Sequence, residues 1–78
     1  MNSPRALRLN AEDNVVIAVD EIRAGDQPRN APAALARVPK GHKMAATPIE
    51  VGRPILKFGQ IIGFASKSIA PGEWVTMS

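Results

Sequence analysis

The sequence predicts a small, mainly-β domain of short strands and tight turns. Three observations carry that prediction. The run Asn14-Val15-Val16-Ile17-Ala18-Val19 is rich in β-branched residues and bounded by Asp13 and Asp20, a composition that suits pleated structure better than helix. The pattern Ile-x-x-Gly occurs three times, at residues 22–25, 49–52 and 69–72. In each, glycine closes a tight turn and isoleucine anchors it in the core. Finally, Pro28, Pro32 and Pro39 fall within twelve residues, which forbids a long helix there. No other stretch carries a helical period of convincing length.

The folded part begins near Leu7. Residues 14–19 form the first strand, buried on both faces because polar residues do not alternate along it. Residues 20–26 turn and end on Gly25, which supplies positive φ. Residues 25–39 are a Pro/Ala-rich insert, read as a flexible surface loop with at most one helical turn. His42-Lys43-Met44-Ala45-Ala46 is a second strand candidate, and Pro54-Ile55-Leu56 a further short apolar run. Lys57-Phe58-Gly59-Gln60 reads as a hairpin-like connection around Gly59. Ile61-Ile62-Gly63-Phe64-Ala65 follows as a strand, with Gly63 marking a bulge or a close backbone approach. The apolar run Glu73-Trp74-Val75 follows the last Ile-x-x-Gly turn.

The chain has 78 residues and no cysteine. That length predicts one domain, spanning residues 1–78, with a thin core. Disulfides and cysteine-based metal sites are excluded. The longest apolar stretch near the start, residues 15–19, is far short of the roughly 18–20 residues a membrane span needs. The first ten residues lack the apolar segment of a signal peptide. A cytoplasmic protein is therefore expected. Net charge is +3, yet the basic residues are scattered, without a block of like charges. With no Tyr, two Phe and one Trp, a base-stacking platform is poorly supplied. Neither a nucleic acid nor a membrane is expected as a partner. Unpaired strand ends make self-association into a homo-oligomer, or docking on a partner, an expectation.

His42 is the single histidine. It follows Gly41, which lets the backbone bend and present the ring, and imidazole is the usual acid/base and metal ligand near neutral pH. A lone histidine cannot build a metal site, which needs about three or more protein ligands. Any metal role for His42 therefore requires ligands from another domain. Lys43 should point to the opposite face of the strand. Arg53 and Lys57 sit in turn-like positions from which either could meet a carboxylate. Trp74 is suited to cover a strand edge or to pack on a partner. There is no nucleophile elbow and no glycine-rich phosphate loop.

The ordered set of motifs resembles the N-terminal domain of the altronate/galactarate dehydratase family. The matching elements are Leu9-Asn10-Ala11-Glu12-Asp13-Asn14-Val15-Val16-Ile17-Ala18, Gly41-His42-Lys43-Met44-Ala45, Ile49-Glu50-Val51-Gly52, Ile55-Leu56-Lys57-Phe58-Gly59-Gln60-Ile61-Ile62-Gly63-Phe64-Ala65 and Ile69-Ala70-Pro71-Gly72-Glu73-Trp74-Val75. They cover nearly the whole chain apart from the Pro/Ala insert.

The resemblance implies a SAF-type β-clip fold, similar to type III antifreeze proteins, accompanying a much larger catalytic domain or subunit. It implies dehydration of a sugar acid to a 2-keto-3-deoxy acid with a divalent metal, Fe(II) being the expected one. It makes His42 the expected catalytic residue, facing metal or substrate. Lys43 and Lys57 are expected to bind the substrate carboxylate, and Gly41, Gly59 and Gly63 to shape the loops around them. One departure stands out. Many members continue with histidines after Gly-Glu-His/Trp-Val, whereas this chain reads Thr76-Met77-Ser78. Two other readings stay open: the small subunit of an (R)-sulfolactate sulfo-lyase-like enzyme, which eliminates sulfite, and a non-catalytic module binding carbohydrate acids.

Overall fold

The structure is a computed structural model and describes residues 3–76; Met77 and Ser78, the end of the departing C-terminal motif, lie outside them. Six short strands are present: β1 (Ala6–Leu7), β2 (Val15–Ala18), β3 (Lys43–Ala45), β4 (Pro54–Lys57), β5 (Gln60–Phe64) and β6 (Trp74–Val75). They form a four-stranded antiparallel sheet in the order β1-β2-β3-β6 and a separate β4–β5 hairpin. No helix occurs among the described residues, so the mainly-β expectation holds.

Strand β2 is buried on both faces, as its unbroken apolar run requires. The reason is that a separate core lies against each face. Val15, Ala45 and Val75 point to one side, where Ile49, Ile55, Ala65 and Ile69 join them. Val16, Ala18 and Met44 point to the other, with Ile22, Ala34 and Val38. Successive strand residues alternate between faces, so neighbours Val15 and Val16 serve different cores. Each fully buried large side chain contributes about 1.5–3 kcal/mol.

The Ile-x-x-Gly turns belong to a larger internal repeat. Four segments follow the form Ala-x-x-x-Ile/Val-x-x-Gly: residues 18–25, 34–41, 45–52 and 65–72. The second was hidden from the sequence pattern because Val38 replaces isoleucine. In every copy glycine has φ between 84° and 89°, and the carbonyl three residues before the turn's last residue accepts its amide at 2.9–3.1 Å, the geometry of a type II turn. The copies pair reciprocally. Ile22 and Val38 exchange two backbone hydrogen bonds at 3.0 and 2.8 Å, and Ile49 and Ile69 do so at 2.9 and 2.8 Å.

The alanines close each pair. The Gly25 and Gly41 amides donate to the Ala34 and Ala18 carbonyls, and those of Gly52 and Gly72 to the Ala65 and Ala45 carbonyls, all at 2.8 Å. All four alanines are buried. The molecule is thus two similar clips, residues 18–41 and 45–72.

Residues 25–39 run over the surface without helix, as their prolines lead one to expect, but they also have anchors in the interior. Pro28, Ala34 and Val38 are buried, and the Leu35 amide donates to the Gly72 carbonyl at 2.8 Å. The prolines exclude helix, but the backbone is consumed by clip pairing instead of by solvent. Strand β1, not expected, is held where Arg5 grips Asp20 through Nε and Nη2, both at 2.8 Å.

Candidate functional site

His42 follows the glycine of its turn, as Asp26, Arg53 and Glu73 follow theirs. At two of these equivalent positions the side chain closes its own turn. The Arg23 amide donates to Asp26 Oδ2 and the Ala70 amide to Glu73 Oε1, each at 3.1 Å. The residue in that place of the His42 turn is Pro39, which has no amide hydrogen. The imidazole therefore has no turn amide to serve. It is exposed and stands edge-on to Trp74, with ring centroids 5.5 Å apart and planes at 70°, a favourable T-shaped arrangement.

Trp74 is half-buried against the core that contains Met44 and Val38, so it presents a fixed wall to the histidine. Its indole Nε1 is buried without a hydrogen-bond partner among the described residues. Buried donors are ordinarily satisfied by protein or by ordered water. Backbone bonds hold His42 from both sides: its amide donates to the Pro39 carbonyl at 3.0 Å and its carbonyl accepts the Ala18 amide at 2.9 Å.

Lys43 is half-buried at the start of β3, paired with Ile17 and Val75. Lys57 is half-buried at the end of β4, beside the hairpin turn. That turn has positive φ at both central residues, 58° at Phe58 and 72° at Gly59. Glycine takes this conformation freely, whereas a bulky aromatic rarely does. Gly63 has no such φ; the bulge expected there falls on its neighbour, since Ile55 pairs with Gly63 and Leu56 with Ile61, leaving Ile62 unpaired.

Asp13 explains how the strained turn is held. Its carboxylate, 4% exposed, accepts the Phe58 amide through Oδ2 and the Gly59 amide through Oδ1, both at 2.8 Å. Burial pushes the Asp13 carboxyl up, but the amides of Gly59, Phe58 and Asn10 and the charge of Arg8 outweigh it and hold the group below its ordinary value. Asn14 grips the adjoining strand at both ends of its amide, accepting the Leu56 amide at 2.8 Å and donating to the Pro54 carbonyl at 3.0 Å. A side-chain amide here acts as one residue of a missing neighbour strand. The sequence marks Asp13 only as the residue that bounds the β-branched run. The available signal was an Asp-Asn pair directly before a buried strand, with no helix for it to cap.

The candidate residues do not converge. Asn14 holds β4 at one end of β2, and Ala18 meets His42 at the other. Four residues of extended chain, roughly 13 Å, separate the Lys57 end from the His42 end. Among the described residues, no group of three or more His, Cys, Asp or Glu could hold a metal ion. The donor set around His42 does not by itself fit a divalent metal.

Comparison with known proteins agrees with this fragmentary chemistry. The model of the altronate/galactarate dehydratase SAF domain matches residues 4–78. The galactarate dehydratase (L-threo-forming) of Escherichia coli (strain K12) is 30% identical over 74 residues, covering 92% of this chain and 14% of that protein. The altronate dehydratase of the same organism is 35% identical over 72 residues, covering 88% of this chain and 14% of that protein. The chain spans about one seventh of the length of these relatives. Two similar clips, a hairpin fastened by Asp13 and Asn14, and a family match running from residue 4 to residue 78 lead to one statement: the chain belongs to the altronate/galactarate dehydratase SAF-domain family.

Proposed function

We propose that this domain serves as the N-terminal domain or small subunit of a cytoplasmic dehydratase that removes water from a sugar acid of the altronate or galactarate type, giving a 2-keto-3-deoxy acid. The observation that carries the reading is the family match over residues 4–78. Elimination beside a carboxylate needs a base at the α-carbon, an acid for the departing hydroxyl and positive charge near the enolate-like intermediate. A domain with one exposed imidazole and, among the described residues, no cluster of convergent acid, base and metal-binding groups supplies part of that set and leaves the rest to the larger portion.

In this reading His42 faces the substrate and moves a proton. Its freedom from turn closure and its support on Trp74 favour that role over an idle surface histidine. Lys43 and Lys57 are the residues proposed to meet carboxylate oxygens as point charges. They lie at different ends of β2, so at most one shares a substrate carboxylate with His42. A divalent metal, Fe(II) by family resemblance, would take at most one ligand, His42, from this domain.

Replacing His42 by Ala tests the role. In the complete enzyme, turnover of galactarate or altronate is expected to fall by about 10²–10⁴-fold. The thermal midpoint is expected to stay nearly unchanged, because exposed substitutions shift stability by only about 0.5 kcal/mol. Equal turnover in variant and parent would remove His42 from the chemistry. One observation favours a second reading. With Thr76 where many family members carry histidine, a sulfo-lyase-like elimination is the alternative, and activity on sulfolactate alone would select it.

A further inference from the structure

The two clips differ in what joins their arms. In the first, residues 27–33 fill the space between Asp26 and Ala34; in the second, the β4–β5 hairpin fills the space between Arg53 and Ala65. The first connector carries buried Pro28. The second returns Ile55 of β4 to the core but sends its other strand outward. Strand β5 packs on β4 and on no other strand, and the large side chains of the turn and of β5 face solvent: Phe58 is 67% exposed, Ile61 57%, Ile62 36% and Phe64 63%. The fold therefore uses Ile55 of β4 for its own burial but not the side chains of the tip and of β5.

Four features mark the face as built for contact. Residues 58–64 carry no charge, although exposed strand edges are commonly guarded by charge. The bulge at Ile62 interrupts the alternation that would hide every second side chain. Phe58 sits at φ 58° on the tip, an unfavourable place for an aromatic that Asp13 maintains with two amide bonds. Strain held in this way is a pointer to use. Phe64 also walls a cleft of about 210 Å³ with Lys67, Trp74 and Thr76, large enough to receive a side chain.

We propose that this apolar face of the β4–β5 hairpin is the surface by which the domain docks on the larger portion of the dehydratase, which covers Phe58, Ile61, Ile62 and Phe64. The inference rests on the reading in the previous subsection. The occupant follows from length. The matched region is 14% of each relative, so in those proteins the domain shares its polypeptide with a segment about six times its size. The hairpin lies inside the matched region. The hairpin tip lies at the end of β2 away from His42, and Phe64 meets Trp74 across the cleft.

The test uses the natural assembly, whether one continuous chain or this chain with a separate large subunit, beside the 78-residue chain alone. Hydrogen exchange of the amides in residues 60–64 is expected to slow at least tenfold in the assembly. The double variant Ile61→Asp/Phe64→Asp should abolish that slowing, while Leu35→Asp, an exposed site in the first clip, should not. An unchanged circular dichroism melt of the variant chain excludes misfolding. An assembly that persists with β5 amides as fast as in the free chain overturns the docking surface and leaves the dehydratase reading intact. A free chain that dimerises, with the dimer lost in the double variant, overturns it in favour of a second copy. A natural product that sediments alone near the mass of this chain removes both the reading and the surface.

Discussion

Two aspartates respond to pH for different reasons. Asp20 lies well below the usual carboxylate range because the Arg5 side chain and amide bond it directly. Asp13 lies below its ordinary value because the amide bonds from Gly59, Phe58 and Asn10, with the charge of Arg8, overcome the effect of burial. A depressed folded-state pKa contributes stability that is complete above the unfolded value of about 3.9 and is lost as pH falls towards the folded value. The thermal midpoint is therefore expected to be insensitive to these groups from pH 5 upward and to drop below about pH 4. Thermal scans of the parent, Asp13→Asn and Asp20→Asn across pH 2–7 check this. Each variant should lower the midpoint at neutral pH and show a shallower loss in acid. The Asp13 change should also free the Phe58 and Gly59 amides to exchange. An unaltered acid slope in both variants would refute the assignment.

At the scale of the element, the four turns look alike but tolerate change differently. An added Cβ at Gly25 meets nothing within 4 Å, so only its positive φ opposes substitution. At Gly72 the same atom would lie 2.0 Å from the Ala33 carbonyl oxygen, a backbone group that cannot move without breaking the contact between the two clips. Gly25→Ala is expected to cost about 1–2 kcal/mol. Gly72→Ala is expected to cost on the order of 3 kcal/mol or more, since strain and overlap add. Urea titrations of the two variants decide the matter, and equal losses would mean that Ala33 yields. The hairpin is the opposite case. Its hydrogen bonds to β2's end come from the side chains of the pair Asp13-Asn14 and not from a strand ladder, with Ile55 in the core as its apolar anchor.

For the molecule as a whole, the central sheet carries a thin core on each face. Small domains bury a modest share of their surface, and dividing the apolar residues between two cores makes each one critical. Met44, fully buried between Val16 and Trp74 on neighbouring strands, links the second core to the wall behind His42. Met44→Ala is expected to lose about 2–5 kcal/mol, a large part of the roughly 5–15 kcal/mol available to a domain. Denaturant unfolding should show a lower midpoint with an unchanged slope. The His42–Trp74 pair should loosen with it, read as a change in Trp74 fluorescence before unfolding. In the proposed dehydratase assembly, activity kept despite this loss would show the larger portion holding the domain together.

Much of this was legible in the chain itself. An apolar run without alternation, 15–19, required a strand covered on both faces, and three Ile-x-x-Gly turns required short strands and no helix. These are local properties, written in neighbouring residues. His42 was singled out by being the one histidine after a glycine. Pairing between clips was not legible, because Ile22 meets Val38 sixteen residues away and Ile49 meets Ile69 twenty away, and nothing local specifies a partner at that distance. The prolines of residues 25–39 correctly ruled out helix but said nothing of burial, which depends on what folds over them. The part played by Asp13 was equally hidden, since its acceptors face amides 45 and 46 residues distant. Sequence alone determined three of the four turns, the strands other than β1, and the family. Tertiary structure alone decided which residues meet: it freed His42 from its turn, set Lys57 at the other end of β2, and left the hairpin uncovered, because long-range contact is a property of the assembled chain.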